Sequence, residues 1–205
     1  MKIETLPIGL YGENSYILHD NGHVLFIDPG RFGKELAAHV NANETVDGIL
    51  LTHGHEDHTG AVDDLYDIYH CPVYLHEGDF DMVNPSFGKT SFATPVYAPL
   101  TKLVPGKMQI GGFEITVIPT PGHSKGSVLI QYRNRVFSGD TLFAGSIGRT
   151  DLFGGSETEM VESLRLIKET LSDDLWVYPG HGEATTIGQE KQTNPFLYYL
   201  KAELF

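Results

Sequence analysis

The chain has 205 residues, 40% hydrophobic and 20% charged, which suffices for one folded unit with a substantial core. A formal charge of -13, with Lys and Arg scattered rather than clustered, would repel a phosphate backbone and argues against a nucleic-acid partner. Cys71 is the only cysteine, so an intrachain disulfide and a thiolate metal cluster are both excluded, and a reducing compartment fits.

The opening residues, Met1 to Pro7, lack the basic start and apolar core of a signal peptide. No later segment is long and apolar enough to span a bilayer, so the expectation is a cytoplasmic protein with no membrane partner. Gly at 23 and Pro at 11 imply many turns and favour strands over a helical bundle. Residues 2 to 28 read as three short strands, with Asn21-Gly22 as a two-residue hairpin turn and Asp28-Pro29-Gly30 ending the third. Lys34 to Val40 has helical spacing, and Gly48-Ile49-Leu50-Leu51 is short and apolar enough to be a buried strand.

That strand runs into Thr52-His53-Gly54-His55-Glu56-Asp57-His58, the densest concentration of metal-ligand side chains in the chain. In an extended loop, side chains two apart point the same way, so His53, His55 and Asp57 would converge with His58 beside them. Imidazoles with one carboxylate suit zinc or iron better than calcium or magnesium, which prefer oxygen donors. The helical His-Glu-x-x-His pattern of zinc proteases does not fit this spacing, and Glu56 reads as a solvent-facing spacer.

Ala61 to Tyr69 reads as a helix and Pro72 to His76 as a strand. Residues 77–99 contain Asn84-Pro85 and Thr94-Pro95, which break regular structure, so this stretch is expected to be a lid or binding loop. The second half repeats the meander: Phe113 to Ile118, Ser127 to Tyr132 and Arg135 to Phe137 alternate as strands, with Arg133-Asn134 as a turn. Glu157 to Leu171 reads as a helix capped by Ser156 with Met160, Leu164 and Ile167 on one face, and Leu175 to Tyr178 as a last strand. Two halves of similar order predict two packed sheets with helices outside. Trp176 and the aromatics of Pro195 to Leu200 are expected to pack, and His19, His23, His39, His70 and His76 to serve surface or core.

Three further strand ends each carry one ligand-type residue in a Gly-containing turn: His123 in Pro121-Gly122-His123, Asp140 in Ser138-Gly139-Asp140, and His181 in Pro179-Gly180-His181. With the first motif they make seven candidate ligands, too many for one tetrahedral zinc ion and suited to two metals sharing a carboxylate.

The order His-x-His-x-Asp-His, then a distant His, Asp and His, resembles the metallo-β-lactamase superfamily over nearly the whole chain. Phe137-Ser138-Gly139-Asp140-Thr141-Leu142-Phe143, Gly148-Arg149, Pro179-Gly180-His181 and Asn194-Pro195-Phe196-Leu197 are similar to glyoxalase II-like hydrolases of the short type. The resemblance implies an α+β fold, an αββα sandwich formed as one domain over 1–205, without the C-terminal helical domain that holds glutathione in glyoxalase II proper. It assigns His53, His55 and His123 to one metal, Asp57, His58 and His181 to a second, and Asp140 to a bridge. The metals it implies are two divalent ions, zinc first, with iron or manganese as substitutes. It further implies that a bridging hydroxide attacks a small thioester such as S-lactoylglutathione, with Asp57 orienting the hydroxide and Arg149 contacting substrate. Asp151 and Glu183 fall where the family tends to place aromatic glutathione contacts, and two carboxylates there would disfavour an anionic tripeptide. Persulfide dioxygenases, which use one iron on the same scaffold and tend to carry a run like Gly148-Arg149-Thr150-Asp151, are the alternative. Nothing in the sequence assigns an oligomeric state.

Overall fold

The computed structural model of the chain describes residues 1–9, 12–87, 92–198 and 200. Its first half builds one six-stranded sheet. β1 (Lys2–Ile8), β2 (Glu13–Asp20) and β3 (His23–Ile27) form the expected antiparallel meander. Asn21 and Gly22 sit at φ of 51° and 82°, the left-handed pair that a tight hairpin with matching twist requires. The chain then turns to parallel pairing, which needs crossovers. α1 (Gly33–Ala37) leads to β4 (Thr45–Leu50), α2 (Glu56–Thr59) and α3 (Val62–Tyr69) lead to β5 (Val73–Leu75), and residues 77–99 lead to β6 (Leu100–Lys102).

The second half repeats the plan. β7 (Gly106–Ile110), β8 (Phe113–Pro119), β9 (Val128–Tyr132) and β10 (Arg135–Gly139) run antiparallel. A small ribbon, β11 (Leu142–Phe143) with β12 (Ser146–Ile147), precedes α4 (Glu157–Thr170), which crosses over to β13 (Trp176–Pro179), parallel to β10. β14 (Thr185–Thr186), α5 (Ile187–Thr193) and α6 (Pro195–Tyr198) complete the described order, so the second sheet reads β14-β13-β10-β9-β8-β7.

Strand alternation then dictates four layers. On β2 and β3, Tyr16, Leu18, Leu25 and Ile27 face the second sheet, while Ile17, Val24 and Phe26 face α1 and α3. On β9 and β10, Ile130 and Phe137 face the first sheet and Leu129 and Val136 face α4. Three apolar layers separate helix, sheet, sheet and helix, which is the α+β sandwich the sequence predicts. Each fully buried side chain, such as Phe137, contributes about 1.5–3 kcal/mol relative to exposure. α4 is capped as expected: the Ser156 hydroxyl accepts from the Glu159 amide at 3.3 Å, and Met160, Leu164 and Ile167 are buried.

Some expectations need correction. The loop after β4 is extended only as far as His55, which caps α2, so Asp57 and His58 follow helical rather than alternating geometry. β6, β7, the ribbon and α5 carry no pattern that the sequence reading singles out. Trp176, Phe196 and Tyr198 are substantially exposed, and in that tail it is Leu197 that packs fully. The histidines assigned to surface or core hold carboxylates or caps: His19 lies against Glu4 and Glu44, His23 against Asp47, His39 against Glu4, and His76 caps a 3-10 turn. Residues 77–99 are largely packed on both sides of 88–91, which lie outside the described residues. Val83, Ala93, Val96 and Ala98 are buried, and Asp63 accepts from the Tyr97 and Ala98 amides.

Candidate metal centre

The parallel relations place the C-terminal ends of β3 and β4 on one sandwich edge, and those of β8, β10 and β13 on the same edge of the other sheet. The two edges are stitched together. The Asn14 amide donates to Gly180 O at 2.8 Å, its side chain to Pro179 O and Gly182 O, and the Tyr16 hydroxyl to Pro179 O at 2.6 Å. All seven side chains singled out in the sequence meet there.

They fall into two groups. One ligand atom each from His53, His55 and His123 lies within 4.8 Å of the others, and the same holds for Asp57, His58 and His181. The Asp140 carboxylate lies between the groups, 3.3 Å from His58 Nε2, 3.5 Å from His123 Nε2 and 3.5 Å from His181 Nε2. Glycine makes this approach possible. A Cβ on Gly180 would stand 2.1 Å from Asp140 Oδ1, and one on Gly30 would stand 1.8 Å from the Asp57 carbonyl oxygen.

The donors fit a divalent metal. His53 Nε2, His55 Nε2, His58 Nε2 and Asp140 Oδ1 are buried and find no hydrogen-bond partner among the described residues. Unsatisfied buried polar atoms of His53, His58 and Asp140 gathered in one space would be costly unless a cation joined them. The outward nitrogens are already committed: His123 Nδ1 donates to Arg149 O at 2.8 Å, and His58 Nδ1 to Asp28 Oδ2 at 3.0 Å, which turns each Nε2 inward, that of His123 to 2.8 Å from His55 Nδ1.

Charge follows the same division. Burial, reinforced by neighbouring imidazoles, holds His53 well below the usual range and His55 at about 3, so these two imidazoles are neutral and ready to ligate. Burial also pulls His58 and His181 down, but carboxylates outweigh it. Asp140 and Asp28 raise His58 well above the usual range, and hydrogen bonds to Asp140 and Asp57 raise His181 to about 10. Asp57 and Asp140 are both held below the usual carboxylate range: burial opposes this, and the His58 and His181 partners overcome it.

Three buried acids in or near the centre escape sequence reasoning. Asp28 groups with His53 and His58, but its carboxylate already accepts from the Thr52 amide at 2.7 Å, the Thr52 hydroxyl and His58, so it orients ligands rather than supplying one. Asp79 accepts from the Gly54 amide, the Ser124 hydroxyl and the Gly126 amide at 2.9, 2.6 and 2.7 Å, tying the His53–His58 loop to the His123 turn. Glu13 lies against His58 at 3.9 Å, and burial raises it well above the usual range.

A cleft of about 560 Å³ opens over the centre, walled by His55, Asp57, Asp140 and His181 together with Arg31 and Arg149. Glu56 lines it as well, which corrects its reading as a spacer: α2 turns its side chain along the rim. Arg149 forks onto Asp151 through two 2.7 Å hydrogen bonds. Asp151, held at about 2 by that pair, is an ionised carboxylate matched to Arg149 at the rim of the cleft.

The sequence model of the metallo-beta-lactamase superfamily matches residues 8–181. The chain belongs to that superfamily. Within it, the probable metallo-hydrolase YqgX of Bacillus subtilis is 35% identical over 96% of this chain and 98% of its own length. The hydroxyacylglutathione hydrolase GloC of Haemophilus influenzae is 32% identical over 96% and 98%. Among solved structures, BLEG-1 B3 metallo-beta-lactamase superposes with a TM-score of 0.85 at 36% identity, covering 96% of this chain and 99% of that one. TTHA1623 in a di-iron-bound form gives 0.82 at 36%, covering 95% and 100%. ETHE1 from Myxococcus xanthus gives 0.76 at 26%, covering 95% and 84%. These likenesses make the protein a member of a metallo-hydrolase superfamily with a His/Asp centre suited to divalent metal.

Proposed function

We propose that the protein is a binuclear metal-dependent hydrolase of small thioesters, of the hydroxyacylglutathione type. The observation that carries this reading is the completeness of the second group: Asp57, His58 and His181 converge as closely as His53, His55 and His123, with Asp140 touching both. Likeness to GloC supports the thioester class. Divalent ions in both groups, with zinc the first expectation, would supply hydroxide at neutral pH and draw electron density from the carbonyl.

The side chains arrange the rest. Asp57 stands on the cleft wall with its carboxylate deprotonated, so it accepts a hydrogen bond from the attacking oxygen and sets its direction. Oxygen adds to the thioester carbon, the carbon–sulfur bond breaks, and the thiolate leaves through the open cleft to take a proton from solvent. Arg149, at the mouth, contacts the thiol part of the substrate if it exchanges Asp151 for it.

Protein of measured metal content, assayed on S-lactoylglutathione and a panel of other thioesters, tests the reading. Turnover that disappears with chelation and returns with metal supports it; no thioester turnover at full loading refutes it. The likeness to ETHE1 favours a second reading, a mononuclear iron persulfide dioxygenase, which predicts one iron per chain and oxygen consumption on glutathione persulfide.

A further inference from the structure

The segment that leaves β3 carries a feature the hydrolytic centre does not use. Asp28 and Phe32 both adopt positive φ, 49° and 58°, a conformation that strains any residue with a Cβ, and most of all a bulky one. Such strain concentrates at binding sites. At Asp28 it is explained by the hydrogen bonds to Thr52 and His58. At Phe32 no close packing explains it, because the residue is 56% exposed.

Arg31 lies between them. Gly30 presses against the Asp57 carbonyl, as the missing Cβ shows, so the Arg31 side chain starts directly beside the metal centre. The side chain is nearly half exposed, and its ion pair, Nη2 to Glu56 Oε1 at 3.8 Å, is beyond hydrogen-bond reach. Arg149, by contrast, has two donors committed to Asp151. Arg31 and Glu56 also wall both the main cleft and a second cavity of about 370 Å³, which Phe32 lines. A guanidinium with no hydrogen bond among the described residues, standing where two cavities meet, is arranged to fork onto a carboxylate.

The geometry points to Arg31 as a specificity-determining residue that holds a carboxylate of an extended, acidic thioester. The scissile carbonyl occupies the main cleft, and the acidic tail passes over Arg31 toward the second cavity beside Phe32. This rests on the thioester reading above for the reaction, though not for the recognition.

Two matched probe pairs test it on metal-loaded protein. S-lactoylglutathione and its analogue with both carboxylates converted to amides report turnover. S-methylglutathione and its diamide, which cannot be hydrolysed, report binding by titration calorimetry. The wild-type protein is expected to favour the acid of each pair by about tenfold, the scale of one charge-assisted contact, and Arg31→Ala to bring both ratios close to one. Arg31→Lys should keep part of the preference. Phe32→Gly, which suits the φ at that position, should leave the melting temperature unchanged or higher while weakening the acid probes, a combination that a purely structural role would not give. Equal binding of acid and diamide by the wild type, or a preference that survives Arg31→Ala, overturns the inference. An acid preference in binding that Arg31→Ala removes, with no turnover of S-lactoylglutathione, supports the role of Arg31 and counts against the thioester reading alone.

Discussion

Asp28 sets the second group of ligands without ligating. Its carboxylate accepts from Thr52 and from His58 Nδ1, so the imidazole is turned with Nε2 inward. Asn tolerates the left-handed backbone at this position, and Asp28→Asn should therefore fold, while replacing one acceptor oxygen by a donor that opposes the Thr52 or His58 N–H. Metal affinity measured by chelator competition should fall by about 10–100-fold, the usual cost of losing such a partner. His55→Ala removes a ligand outright: hydrolysis should vanish and metal content drop with the circular dichroism spectrum unchanged, and undiminished turnover would contradict the role given to His55. The seven candidate ligands were legible because each follows an apolar strand in a Gly-containing turn, a local pattern. Asp28 and Asp79 were not. They act on donors 30, 25 and 45 residues away, at His58, Gly54 and Ser124, and a carboxylate that serves distant segments leaves no trace in its own neighbourhood.

At the scale of elements, the centre depends on loops held to one another more than on any one strand. Asp79 joins the loop after β4 to the turn after β8 through three donors shared by two oxygens. Asp79→Asn must set its amide against at least one of them, at a cost of about 1–3 kcal/mol. Calorimetry should show the lower melting temperature, and metal titration should show weaker binding at the group that includes His123. Ser156→Ala provides the contrast: losing the α4 cap should cost about 1 kcal/mol, with metal content and activity unaffected. Strands and the long helix were readable from alternation and capping. α2 was not, because one helical turn of His, Asp and Glu has no apolar period, and its geometry is imposed by the Gly30 backbone packed on Asp57.

Across the whole molecule, two sheets that each pack their own helices meet at an edge where both contribute ligands, so the centre exists only when the sandwich is closed. The Tyr16 hydroxyl on Pro179 O is one of the closures. Tyr16→Phe should cost about 1 kcal/mol, or about 2–4 °C in melting temperature for a chain of this size. The charge pattern also couples metal to protons. His58 and His181 have raised pKa values in the metal-free protein, so each is protonated near pH 7 and must lose its proton to ligate. Metal binding at pH 7 should therefore release protons, seen as a buffer-dependent enthalpy, and should tighten as pH rises toward about 10, the value for His181. The sign for folding is the opposite: the protonated His181 stabilises the metal-free fold fully below its ordinary pKa of 6.5, and that contribution fades as pH rises through about 10. What decides between a shared centre and a single-ion one is the number of metals. Metal analysis of protein purified without chelator and reloaded with zinc is predicted to give two ions per wild-type chain; one ion per wild-type chain at saturation would contradict the account.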